Sequence, residues 1–281
     1  MKNKKRVYLI ISIVSFTIAL LALAVLGVLF YSYNQAQEDY EQLASAARAA
    51  SPTVQTEASL PEQTEPSEVE TEPPVLVDIP INFDYLQAEN PDIIGWILVD
   101  GTLIDYPILY DTTTNLYYLN HNYEGTSTGY GSIFVLGENA GDFTDFNTVV
   151  YGHNMLNGQM FAQLHKFRDK NFFDSHGQIL IYTQDRKLTY QVFAAYRRDN
   201  LDIIANYAVS SEELRETYLE SVFAQTDLAL FNDACPVTAA DRIVTLSTCI
   251  GNPSYRYVVQ GVLISDEPGA YAPPQDTVEE S

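Results

Sequence analysis

Cysteine is scarce in this chain: only Cys235 and Cys249 occur among 281 residues. That excludes a scaffold stapled by many disulfides and a zinc site made of four thiolates. Bases are scarce as well, 15 against 37 acids, for a net charge of −22. Four of them (Lys2, Lys4, Lys5, Arg6) precede Val7, and no acid precedes Glu38. The chain beyond Tyr31 therefore holds 11 bases against all 37 acids. Such a surface repels phosphate backbones, so nucleic acid is excluded as a partner. No internal repeat is visible. Aromatic residues are not lacking: 20 Tyr and 13 Phe rule out wholesale disorder.

Charge is also absent from Val7 to Phe30, 24 consecutive residues. As a helix this run spans about 36 Å, enough to cross a hydrocarbon core of about 30 Å. It is longer than the apolar region of a cleaved signal peptide and lacks a small-residue cleavage site at its end. An uncleaved anchor over residues 7–31 in the lipid bilayer is expected. The basic cluster before it places the N-terminus in the cytoplasm and everything beyond outside, a single-pass type II arrangement.

Residues 34–50 favour a helical stalk. The following segment, 51–74, holds five Pro, six Glu and no base, and cannot bury enough apolar surface to fold. The chain thus divides into a basic stub (1–6), an anchor (7–31), a stalk and acidic linker (32–74), an extracytoplasmic domain (75–265) and a disordered acidic tail (266–281). Within the domain, alternating β-formers predict strands at Ile94–Val99, Leu103–Pro107, Ser132–Leu136, Thr148–Tyr151, Gln178–Tyr182, Leu188–Tyr196, Arg242–Thr248 and Arg256–Ile264. Asp100-Gly101 signals a hairpin turn. Helices are expected near Met160–Lys166 and over Ser211–Phe223. The second is capped by Ser210 or Ser211, with Leu214, Tyr218 and Phe223 as its apolar stripe. Eight short strands in this span suggest a mainly β domain, a closed barrel or a sandwich.

Two cysteines outside a cell could pair, and a Cys235–Cys249 disulfide in a non-enzymatic surface protein is one reading. Local context favours another. Cys249 ends a β-run and is followed by a loop that can leave the thiol open, whereas Cys235 sits before Pro236 in a separate loop. A thiol becomes a nucleophile at neutral pH with help from an imidazole or guanidinium. His153 ends a second strand, after a Gly152 that lets the backbone approach closely. Arg256 opens the strand after Cys249, where its guanidinium can donate to a developing oxyanion. His165 and His176 read as surface residues. His121 reads as a binding residue or simply as half-buried.

These residues carry a resemblance. TLSTC (Thr245–Cys249), with Arg256 in RYVVQG, resembles the active-site strand pair of the sortases. YGHNM (Tyr151–Met155), with GQMFAQLHKF (Gly158–Phe167), resembles their catalytic histidine region. PDIIGWILVDGTLIDYPIL, NLYYLNHNYEG and GSIF, in this order, are similar to class B sortases, and the likeness runs over residues 79–264. It implies a closed eight-stranded β-barrel with a few peripheral helices. It further implies a cysteine transpeptidase with Cys249 as nucleophile, His153 as acid/base and Arg256 as oxyanion stabiliser. Ser247, Tyr151, Asn115 and Tyr207 are implied as substrate contacts.

The partners implied are secreted proteins bearing a C-terminal sorting motif and an amine acceptor, on a peptidoglycan precursor or a pilin. The chemistry needs no metal or other cofactor. Ile250, after the nucleophile, stands where many class B members carry an acidic or polar residue, and the Cys-to-Arg loop is short, which leaves the sorting motif open. The Ser-His-Gly-Cys arrangement of L,D-transpeptidases is absent.

Overall fold

A computed structural model describes residues 2–49, 75–113, 116–200 and 209–272. The acidic segment 51–74 lies outside them. Helix α1 (Lys2–Ala49) runs unbroken through the apolar span and the expected stalk. Its stretch Ile10–Val28 is long and apolar enough to cross a membrane, with a mean hydropathy of 2.6. Two compact units result: residues 1–42, and a second beginning at Leu43. That second unit starts earlier than the expected boundary at residue 75. Leu43, Ala44 and Ala47 are buried, Ala47 O accepts from Asn82 N at 2.9 Å, and the Arg48 guanidinium grips both carboxylate oxygens of Asp105.

Ten strands follow: β1 (Val77–Ile79), β2 (Ile93–Val99), β3 (Asp105–Asp111), β4 (Ile133–Leu136), β5 (Asn147–Tyr151), β6 (Gln178–Tyr182), β7 (Arg186–Asp199), β8 (Leu230–Phe231), β9 (Ile243–Cys249) and β10 (Tyr255–Tyr271). Eight of them, in the order β10-β9-β5-β4-β3-β2-β6-β7, close into a barrel through a long antiparallel pairing of β10 with β7. Closure removes the free edges that an open sheet would present. The two remaining strands are short additions, β1 alongside the far end of β10 and β8 alongside β7. Both lie outside the eight strands expected from sequence, too short to carry a periodic signal.

Strand β10 also corrects the expected tail. Asp266–Pro268 pair with β7 and Gly269–Tyr271 with β1, so order persists six residues past Ser265. Asp266 is the reason: Arg186 and Arg242 both donate to its carboxylate. Burial pushes that carboxyl up in pKa, but the two guanidinium hydrogen bonds outweigh it and hold the group below the ordinary aspartate value.

Among the described residues there are three shorter α-helices: α2 (Phe83–Glu89), α3 (Lys170–Ser175) and α4 (Glu212–Phe223). The helix expected near Met160 is a 3₁₀ segment, Phe161–Arg168. Helix α4 is capped as expected, Ser211 Oγ accepting from Leu214 N. Its buried face is Tyr218, Leu219 and Val222, while Leu214 and Phe223 are exposed. The expected stripe was thus misplaced at both ends. Tyr218 brings the helix onto the barrel beside Phe146, Phe193 and Val258. Buried polar groups fix it there: Gln260 Nε2 donates to Tyr218 OH and Thr245 Oγ1, both at 2.7 Å, and Thr245 donates to Asn147 Oδ1 at 2.8 Å. Every member of this set is partnered, which is the condition for a polar cluster to be tolerated in a core.

Candidate active site

Strands β5 and β9 run parallel, with Tyr151 opposite Ser247. β9 continues two residues further, to Cys249, while the β5 chain turns away at Gly152. That turn needs a glycine for space. A Cβ on Gly152 would collide with Ile133 Cδ1 and come within 2.7 Å of Phe161 Cγ. Gly152 N donates to Ser247 O at 3.2 Å, and Thr248 Oγ1 donates to Gly152 O at 2.9 Å. The next residue, His153, therefore stands beside the end of β9.

His153 is held from two directions. Its Nε2 is 2.6 Å from Leu119 O. A carbonyl only accepts, so Nε2 is the donor here and Nδ1 is the ring nitrogen left outside this hydrogen bond. The His153 carbonyl in turn accepts from Phe161 N at 2.9 Å, at the start of the 3₁₀ segment.

On the other side of β9, Arg256 of β10 is the register partner of Cys249, and Arg198 of β7 is the register partner of Arg256. Directly paired residues on neighbouring strands share a face, so Cys249, Arg256 and Arg198 form one row. Arg256 Nη1 donates to Pro253 O at 3.2 Å and Tyr255 O at 3.0 Å, which fixes the guanidinium on the loop that leaves Cys249.

Cys249, His153, Arg256, Ser247 and Tyr151 all line one groove of about 160 Å³, together with Leu116 and Leu119. Asp199 is the acidic residue among the described lining residues, beside two arginines. A strongly acidic protein thus presents a locally cationic, partly apolar groove around a thiol. Asn115 and Tyr207 lie outside the described residues.

Both cysteines are free thiols. Cys235 sits away from the groove, packed against the cluster under α4. Burial, together with the nearby Asp241, pushes its thiol pKa up and keeps it protonated. Two histidines differ from expectation. His165 is half-buried, with Nε2 donating to Cys249 O at 3.0 Å. His176 is half-buried too, stacked on Phe172 at 4.4 Å and packed so close to Gly101 that a Cβ there would collide with it. His121 stacks on Tyr117 at 3.9 Å and bonds its carbonyl, away from the groove lining. Sequence reasoning also missed Arg198, whose place beside Arg256 follows from register and not from any local motif.

Comparison with known proteins decides the family. The sortase domain pattern matches residues 97–264. The chain belongs to the sortase family. Sortase B of Listeria monocytogenes is 37% identical over 188 residues, covering 64% of this chain and 73% of that one. Among solved structures, sortase B from B. anthracis in complex with AAEK1 superposes with a TM-score of 0.64 at 30% identity, covering 84% of this chain and 99% of that one. A Staphylococcus aureus sortase B–substrate complex gives 0.59 at 32% identity, over 66% and 85% of the two chains. The class B resemblance and the closed eight-stranded barrel expected from sequence are both borne out, and this sortase is a cysteine transpeptidase of sortase B type. The reading as a non-enzymatic protein with a Cys235–Cys249 disulfide is set aside.

Proposed function

We propose that this sortase is a type II membrane-anchored enzyme that joins secreted proteins to an amine of the cell wall, with Cys249, His153 and Arg256 as its reacting residues. The observation that carries the reading is the convergence of these three side chains on one groove from β9, the end of β5 and the start of β10. Cys249 gives its thiol proton to His153 Nδ1 as Sγ attacks the Thr carbonyl carbon of a C-terminal sorting motif. The remaining N–H groups of the Arg256 fork donate to the oxyanion that forms. His153 gives its proton to the departing amine as the C–N bond breaks, leaving a Cys249 thioester. An amine of a peptidoglycan precursor then attacks the thioester carbon, loses a proton to His153 and expels the Cys249 thiolate. Ser247 and Tyr151, on the groove wall, contact the motif. The S. aureus sortase B solved as a substrate complex supports a substrate site in this chain as well. The basic residues before an apolar helix support the orientation, with the domain outside.

The test is single-turnover acylation by a sorting peptide, with mass spectrometry of the Cys249 adduct. Cys249→Ala gives no adduct, and Cys235→Ala keeps most of the rate. His153→Ala nearly stops acylation. Arg256→Lys keeps the charge but loses the planar fork, and slows the step by about 10²–10³. Acylation at wild-type rates in both the His153 and Arg256 variants would overturn the roles of these two residues.

A further inference from the structure

We propose that His165 is a positioning residue for the nucleophile, and that the 3₁₀ segment Phe161–Arg168 clamps Cys249 and His153 at a fixed separation. The inference rests on the reading of those two as the reacting pair. Ser247 O points toward β5, where Gly152 N donates to it. Backbone groups two residues apart on a strand point the same way, so Cys249 O also points to that side, past the place where β5 has ended. Among the described residues it has no ladder partner there. His165 supplies one from its side chain, Nε2 donating at 3.0 Å from 84 residues away in sequence. The same segment, four residues earlier, donates Phe161 N to His153 O at 2.9 Å. One short element thus holds the backbone of both residues, each by a single hydrogen bond.

The environment of His165 is built for a neutral donor. Its ring lies 5.2 Å from that of Tyr257, and the Arg168 guanidinium lies over the same Tyr257 ring at 5.1 Å. Burial, reinforced by Arg168, lowers the His165 pKa against the opposing effect of the Cys249 carbonyl. Nδ1 is buried with no hydrogen-bond partner, so a second proton there would be an unsatisfied donor.

The experiment uses the full-length chain in detergent and compares His165→Phe, which keeps a ring but no donor, with His165→Gln, whose amide nitrogen can reach the same carbonyl. A misplacement near 1 Å costs about 10²-fold in rate, so His165→Phe should lower the single-turnover acylation rate by about 30–100-fold while the half-saturating peptide concentration stays within about threefold. His165→Gln should recover to within about fivefold of wild type. His165→Leu replaces the Phe variant if that one does not fold. Wild-type acylation without a donor, or a Gln variant as slow as the Phe variant, overturns the proposal. Alkylation of Cys249 by iodoacetamide, followed on its own peptide, gives a second readout: slower in the Phe variant and restored in the Gln variant. If no sorting peptide acylates even the wild type, the functional reading fails, and the alkylation rates then decide the clamp alone: equal rates in all three chains overturn it.

Discussion

One backbone oxygen, Leu119 O, shows how much the site depends on atoms that no motif names. It accepts from His153 Nε2, and its own position depends on Gly131, which has φ +56° and lies so close that a Cβ would collide with it. Only glycine adopts this conformation without strain and without displacing the carbonyl. Gly131→Ala should therefore lower acylation about 10–100-fold, by moving the partner of His153. Gly158→Ala is the control: its φ is +82°, but its Cβ would meet only Gln163 Nε2 at 3.2 Å. The control shares the backbone strain of about 1–2 kcal/mol and should keep most of the rate. Equal rates in the two variants, compared below both melting temperatures, would sink the argument. At this scale sequence was a partial guide. Cys249, His153 and Arg256 were legible because each ends or opens a β-run beside turn residues. His165 was not, because its partner is a carbonyl brought near only by the crossing of β9 past β5.

Elements of regular length and pattern were the most legible. The limits of β6 are those expected, and β9 differs by one residue at each end. The long strands were underestimated. Asp266-Glu267-Pro268-Gly269 reads as a chain terminus by composition, yet tertiary partners override it: two arginines on Asp266, β7 on one side and β1 at the end. Ile79 is fully buried against this stretch, and a Cβ on Gly269 would come within 2.8 Å of it. Two truncations separate the readings. Ending the chain at Ala272 should leave the melting temperature within about 1 °C. Ending it at Ser265 removes the Asp266 ion pairs and uncovers Ile79, a loss of about 3–5 kcal/mol, or roughly 6–20 °C for a domain of this size. Equal melting temperatures would mean that Asp266–Tyr271 adds nothing to the barrel.

For the whole molecule the composition set the plan, and the packing moved its borders. An apolar helix, an acidic portion after it and a mainly β domain all follow from composition, charge and the alternation of β-formers. Counting does not reveal that the end of α1 belongs to the domain unit. Arg48 lies 5.4 Å over the Trp96 ring and grips Asp105, and Trp96 Nε1 donates to the same carboxylate at 2.5 Å. Arg48 and Asp105 are partly exposed, so their pairing contributes about 1 kcal/mol. Burial of Leu43 adds about 2 kcal/mol. A chain beginning at Leu43 should therefore be soluble and melt about 6–12 °C above one beginning at Val75, at 2–4 °C for each kcal/mol. Arg48→Ala in the longer chain should close only part of that gap, because it removes the grip on Asp105 and leaves Leu43 and Ala47 in place. Both chains carry every groove residue, so below their melting temperatures they should acylate at similar rates. Coincident melting curves would show that the acidic segment joins the domain to a helix that contributes nothing to its stability, and would return the boundary to residue 75.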